Sequence, residues 1–173
     1  MPATRRKLSE AQFFFRKLAS SDKQVLASEP EAFDCYLSAL LSAARSVTFA
    51  LQAEYKERYD AWFPSWREVL PDDERVLLAH FNEQRVQEVH RTGANVTYGS
   101  ERISLFEYFA RASSQGLQIE VSNGPIGNPP LEFTSLTRAF EIGGNEAAVV
   151  RACGNYVSLL TKLVDDFASQ FPV

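Results

Sequence analysis

Cysteine and histidine, the side chains most often used for metal binding and covalent catalysis, are scarce in this chain. Its 173 residues include two cysteines and two histidines. Cys35 and Cys153 stand alone within helical patterns, and neither has metal-ligand spacing to His80 or His90. We therefore expect no metal site, and we expect both cysteines to be reduced core residues of a cytoplasmic protein.

An excess of positive charge is also lacking, since the formal net charge is −4. Broad binding of a polyanion depends on many Lys and Arg contacts, so this composition leaves room only for a local basic site. Apolar runs long enough to span a bilayer are missing too, because the run at 37–44 ends at Arg45. The N-terminal residues lack the apolar core of a signal peptide. These observations predict a cytoplasmic protein without a membrane partner.

Sequence signatures of cofactor chemistry are absent as well. There is no phosphate-binding glycine-rich loop, no dinucleotide fingerprint and no serine in the strained turn of a hydrolase nucleophile. Gly143 and Gly144 are better explained as a turn before a helix. We expect no bound cofactor.

What the chain does have is helical periodicity and, at 45% hydrophobic and 12% aromatic residues, enough apolar surface for a core. Capping patterns predict helices at about 9–20 and 29–59, and the segment 60–71 with its proline and two tryptophans is predicted to break the second. A third helix is predicted within 71–93, and the last begins at Asn145. Its apolar residues alternate four and three apart: Val149, Cys153, Tyr156, Leu160, Leu163 and Phe167.

The region between the third and last helices has a different pattern. Residues 100–112 are compatible with a short helix, and alternation around a turn-rich stretch predicts a β-hairpin between 117 and 142. We predict one domain of residues 1–173 with an insertion at about 94–143. Its fold class is mainly α, a four- to five-helix up-and-down bundle with a small β-hairpin insertion before the last helix.

The candidate chemistry lies in the helix within 71–93, which carries both histidines. Arg85 and His90 have the spacing Arg, four residues, His. On an ideal helix five positions turn through roughly 140°, so the pair shares a face only if the helix loosens near Gly93. A protonated His90 in the last helical turn, with Arg85 as a fixed cation, suits acid–base work on a phosphodiester.

A structural role is the alternative for this pair. Arg75 and His80 repeat the same spacing ten residues earlier, and salt bridges with Glu74, Glu83 or Glu88 explain either pair without catalysis.

Two further residues complete the candidate site in a supporting or binding role, Arg45 and Glu83. Arg45 stands in the middle of a small-residue helix, where an unpaired charge is costly, so it needs a partner or a path to solvent. An arginine that extends along the helix face towards water is the alternative.

The order of the predicted helices along the chain resembles that of the HEPN superfamily of small helical bundles. The resemblance is carried by CYLSALLSAARSVTFALQAEY, by FNEQRVQEVH and by EAAVVRACGNYVSLLTKLVDDF, and it covers most of residues 11–170 apart from the insertion. It implies a metal-independent endoribonuclease, often of toxin or defence type, in which Arg and His of two protomers meet in a dimer cleft. Arg85 would then stabilise the phosphorane, and His90 would move the proton of the 2′-hydroxyl or the leaving group.

The same resemblance implies an alternative function. Family nucleases usually carry a polar residue, commonly Asn, directly after the Arg, where this chain has Val86. Other members resemble non-catalytic modules that bind nucleic acid or protein. The expected partners are therefore a second copy of the chain, RNA, and an antitoxin or other partner protein.

Overall fold

The computed structural model describes residues 1–22, 31–90, 95–104 and 132–172, with the backbone alone at 85–90, 100–104 and 132–137. The described chain contains five helices and three strands, in this order: α1 (Pro2–Asp22), α2 (Ala32–Glu54), α3 (Lys56–Glu68), α4 (Asp72–His90), β1 (Thr97–Ser104), β2 (Glu132–Ile142), β3 (Asn145–Ala148) and α5 (Val149–Gln170). The prediction of a mainly α bundle with a small β element before the last helix is confirmed.

The chain divides into two compact units. One consists of Met1–Thr97 and Ala139–Val173 and contains the helices; the other is Tyr98–Arg138 and lies within the predicted insertion at 94–143. The strands have the order β1-β2-β3. In the helical unit, the end of β2 pairs antiparallel with β3 around Gly143 and Gly144, whose positive φ angles of 58° and 78° suit glycine.

Helix α5 is the central element of the helical unit. Its apolar stripe, spaced as predicted, is buried along the whole helix, from Val149 through Tyr156 to Phe167. Helix α1 packs antiparallel to α5, because Phe15 lies against Gly154 while Met1 and Phe167 both contact Tyr55. Helix α4 is also antiparallel, since the ring of Phe81 stacks on Tyr156 while Glu74 contacts Lys162. The up-and-down arrangement is confirmed in these contacts.

Helix α1 begins at Pro2, earlier than the predicted start at Ser9. The Glu54 carboxylate at the end of α2 accepts hydrogen bonds from the backbone N–H groups of Ala3 and Thr4 at 3.1 and 3.0 Å. Although burial opposes it, the bond from the Thr4 hydroxyl together with these two N–H bonds holds the pKa of Glu54 below its ordinary value. Ser9 lies inside the helix and donates to the Arg5 carbonyl. The cap comes from 50 residues away, so the local sequence does not reveal it.

The predicted break between the second and third helices is in the wrong place. The chain leaves helical geometry at Tyr55, with φ −143° and ψ 45°, and α3 then continues through Pro64. Tyr55 contacts the first residue of the chain through its hydroxyl, which bonds to the Met1 ammonium, and the last helix through its ring, which packs on Phe167. In α3 the stacked rings of Tyr59 and Phe63 stabilise the helix in which Pro64 costs a hydrogen bond. The predicted helix start at 29 lies outside the described residues.

Three smaller predictions are also corrected. Residues 100–104 are strand, where a helix over 100–112 was expected; residues 105–112 lie outside the described part. Residues 145–148 form β3, so the last helix begins at Val149 and not at Asn145. Cys35 is exposed, whereas Cys153 is buried as predicted and burial raises the pKa of its thiol. Cys35 is two positions from buried Phe33 and Leu37, which places it on the opposite side of α2.

The contact between α4 and α5 gives a stability prediction. Phe81 is 2% exposed, and its ring centroid is 4.2 Å from that of Tyr156. We expect Phe81→Ala to lower the free energy of unfolding by about 3–5 kcal/mol, because the substitution leaves a cavity in the core.

The matched control is Phe13→Ala, which removes a phenylalanine that is 46% exposed. We expect it to cost less than about 1 kcal/mol. Urea unfolding followed by circular dichroism measures both values, and equal losses would contradict the central place of the Phe81–Tyr156 stack.

Candidate functional site

Helix α4 positions the predicted site, and its sequence explains where it begins. Asp72, Asp73 and Glu74 occupy the first turn, where carboxylates stabilise the positive end of the helix dipole. Arg75 donates to the Glu68 carbonyl at 3.1 Å and pairs with Asp72, which ties the helix start to the end of α3. The helix begins one residue after Pro71, as predicted.

The far end of α4 is also anchored. Gln84 is 4% exposed, and its side-chain oxygen accepts the backbone N–H of Asn95 at 2.8 Å. This contact was missed from the sequence, because a buried glutamine on a helix gives no local signal of its partner.

Arg85 and His90 both lie on the regular helical backbone of α4, and their side chains are outside the described atoms. No loosening occurs before His90, so the two Cα atoms are offset by roughly 140° around the axis and about 7.5 Å along it. Residues seven apart are separated by about two turns and lie on the same side of a helix. Position 85 is therefore on the side of buried Leu78, and position 90 is on the side of exposed Glu83. The two positions therefore lie on different sides of one helix.

Arg45 is half-buried on α2 and has a partner, as its position required. Its Nη1 donates to Asn82 Oδ1 of α4 at 2.8 Å, and its guanidinium carbon lies 4.3 Å from the centroid of the Phe49 ring. Its Nε is buried without a hydrogen-bond partner in the described part of the chain. Asn82 was missed from the sequence, because only the packing of α2 against α4 brings it to Arg45.

Glu83, the second supporting residue predicted, is exposed on α4. Its negative charge raises the pKa of His80, which lies three residues earlier on the same helix. Among the described contacts, Glu83 and Arg45 are not brought together.

Arg75 and His80, which share the spacing of the candidate pair, have structural surroundings. Arg75 pairs with Asp72 and not with one of the glutamates expected from the sequence. The His80 ring is half-buried, with its centroid 5.1 Å from that of Phe140, and its Nε2 has no partner among the described residues. Burial lowers the pKa of His80, and the Glu83 carboxylate opposes this only in part.

A groove that was not predicted from the sequence runs between α4, β3 and α5. It has a volume of about 730 Å³ and is lined by side chains of both charges. Within it Glu74 pairs with Lys162 at 2.7 Å. Arg151, Asn155, Ser158 and Lys162 form its polar wall along one face of α5. Because acidic and basic groups both line it, the groove defines no single ligand chemistry.

Within residues 1–22, 31–90, 95–104 and 132–172, no three His, Cys, Asp or Glu side chains are grouped as a metal site requires. No helix in that part of the chain is long and apolar enough to cross a membrane. No known protein family, curated protein or solved structure matches the sequence or the fold.

The buried position of His80 predicts a pH dependence of stability. Its pKa is lowered in the folded state, so the unfolded state binds more protons as the pH falls from the ordinary value of 6.5 towards the lower folded value. Stability is therefore full above pH 6.5 and decreases below it. We expect the melting temperature to fall between pH 7 and pH 5.5 by more in the natural protein than in His80→Phe.

The comparison isolates His80, since His90 is present in both proteins. Equal changes in melting temperature over this range would show that the half-buried imidazole of His80 does not cause the pH dependence of stability.

Proposed function

We propose that the protein is a metal-independent endoribonuclease of the HEPN type, of toxin or defence character, that acts as a cytoplasmic homodimer. One observation carries the proposal: α4 continues without a break through both Arg85 and His90. Such a helix fixes the two backbone positions from which a cation and an imidazole can each contribute to a shared site.

Two protomers explain how the pair acts. The Cα positions of Arg85 and His90 are offset by roughly 140° around one helix and so lie on different sides of it. A two-fold axis beside α4 would bring Arg85 of one chain close to His90 of the other.

In the proposed reaction the RNA 2′-hydroxyl attacks the adjacent phosphorus, and the bond from phosphorus to the 5′-oxygen breaks. His90 takes the proton of the 2′-hydroxyl or gives one to the leaving 5′-oxygen, solvent water carries the other of these two proton transfers, and Arg85 stabilises the negative charge of the phosphorane. The products are a 2′,3′-cyclic phosphate and a 5′-hydroxyl. Arg45 and Glu83 would support substrate binding.

A non-catalytic module that binds nucleic acid or a protein partner such as an antitoxin is the second candidate. It is favoured by Val86, which directly follows Arg85 on α4 where nucleases of the resembled family carry a polar residue. In this case the same surface binds RNA or a partner without cutting.

The cleavage test uses single-stranded RNA in the presence of EDTA. We expect Arg85→Ala and His90→Ala each to lower the cleavage rate by at least about 100-fold in proteins that keep the helical fold, because each removes a transition-state interaction. Products are identified by their 2′,3′-cyclic phosphate ends.

Arg75→Ala is the matched control, since Arg75 is exposed on the same helix and has the same spacing to a histidine. His80→Ala is less suitable, because His80 packs against Phe140. RNA that is bound but never cut, with no effect of either site variant, would favour the second candidate.

Mixing the two inactive variants tests whether the site is shared. In a mixed dimer of Arg85→Ala and His90→Ala chains, one of two shared sites contains an intact Arg and an intact His. Equal mixing should restore about a quarter of natural activity, because about half of the dimers are mixed.

Recovery must follow subunit exchange, which sedimentation of the mixed sample checks. An active monomer, or an active dimer with no recovery after exchange, would place Arg85 and His90 of one chain in the same site.

A further inference from the structure

A second cavity lies between α2 and α3, on either side of the helix break at Tyr55. It has a volume of about 330 Å³ and is lined by residues of 45–52 and 59–64. Small-molecule pockets begin at roughly this size, so the cavity suits a single small ring system.

The walls of the cavity are rich in aromatic rings. Tyr59 and Phe63 stack with centroids 5.0 Å apart and planes at 17°, and both line the cavity. Phe49 lines it from α2 and is 45% exposed. Tyr59 is buried, whereas Phe49 and Phe63 are partly exposed and offer flat surfaces of the kind on which planar ligands stack.

The cavity also contains a cation that lacks a carboxylate partner among the described residues. Arg45 bonds to the neutral amide of Asn82, and its Nε remains unpaired there. Burial raises the pKa of the neighbouring Tyr59 to about 12, so that hydroxyl stays neutral. The acidic group of the wall, Asp60, is engaged by Gln52 at 2.6 Å and Lys56 at 2.8 Å.

A half-buried cation of this kind selects the ligand. It disfavours a cationic guest, although aromatic walls alone would accept one. It favours a ring whose edge carries carbonyl or ring-nitrogen acceptors, or that is attached to a phosphate. Aromatic stacking combined with an arginine donor matches a nucleobase.

We propose that the cavity between α2 and α3 binds one nucleobase, stacked on the aromatic wall with its acceptor edge or attached phosphate towards Arg45. The choice of a nucleobase rests on the proposed function, in which RNA is the substrate. The base is supplied either by a free nucleotide or by an RNA strand, and the cavity holds one base of such a strand.

The test measures binding in the His90→Ala background, so that RNA remains uncut. Titrations use the four ribonucleoside 5′-monophosphates and a fluorescein-labelled single-stranded 12-nucleotide RNA. Phe49→Ala should weaken binding about 5- to 100-fold, the effect of losing one stacked base. Phe13→Ala, which removes a phenylalanine of equal exposure on α1, should leave it unchanged. Arg45→Lys should also weaken binding, because lysine keeps the charge but loses the planar donor group.

Two results would support the proposal and two would overturn it. If Phe49→Ala loses monophosphate binding, the cavity is a site for a free nucleotide. If it loses only RNA binding, the cavity holds one base of an RNA strand. Binding by neither probe, or equal binding by the folded Phe49→Ala and Phe13→Ala proteins, would overturn it.

The outcome is separate from that of the nuclease proposal. If cleavage depends on Arg85 and His90 while RNA binding does not depend on Phe49, the cavity proposal alone is overturned. Binding that depends on Phe49 without any cleavage by the natural protein would overturn the nuclease alone.

Discussion

Burial of one apolar face of α5 is the constraint on which the helical unit depends. Ten side chains of this helix are buried, and α1, α2 and α4 pack against it. Full burial of a large apolar side chain contributes roughly 1.5–3 kcal/mol, so the stripe dominates the choice of packing partners. The position of α4 follows from it, because Phe81 must reach Tyr156. The orientation of the candidate residues around α4 is therefore set by the core.

Much of the fold could be predicted, because it depends on periodicity within single helices. The alternation of α5 identified its buried face, and the charges at Asp72 and Asp73 identified the start of α4. The errors have long-range causes. Glu54 bonds to the N–H of Thr4 in the first turn of α1, 50 residues earlier, and contacts from Met1 and Phe167 meet at Tyr55. A strand at 97–104 depends on its neighbouring strand, which local helical spacing does not reveal.

The candidate site could be predicted only in part. A charge among small residues required a partner for Arg45, but the identity of Asn82 depends on how two helices cross. The cavity beside Arg45 is lined by residues of α2 and α3. The break between these helices lies at Tyr55, whereas the sequence predicted it at 60–71. Spacing alone selected Arg85 and His90, and the regular backbone of α4 adds that they lie on different sides of it. Spacing could not distinguish this pair from Arg75 and His80, whereas packing and pairing assign those two residues structural roles.

The contact between Phe15 and Gly154 has a consequence for the evolution of this sequence. An added Cβ at position 154 would lie 2.9 Å from the Phe15 ring, closer than carbon atoms normally approach. A larger residue there would require the Phe15 ring to move, a smaller residue at position 15, or a wider separation of α1 and α5. In related sequences these two positions are therefore expected to change together, large with small, although 139 residues separate them in the chain. Such paired variation would give a record of the helix contact that no single sequence contains.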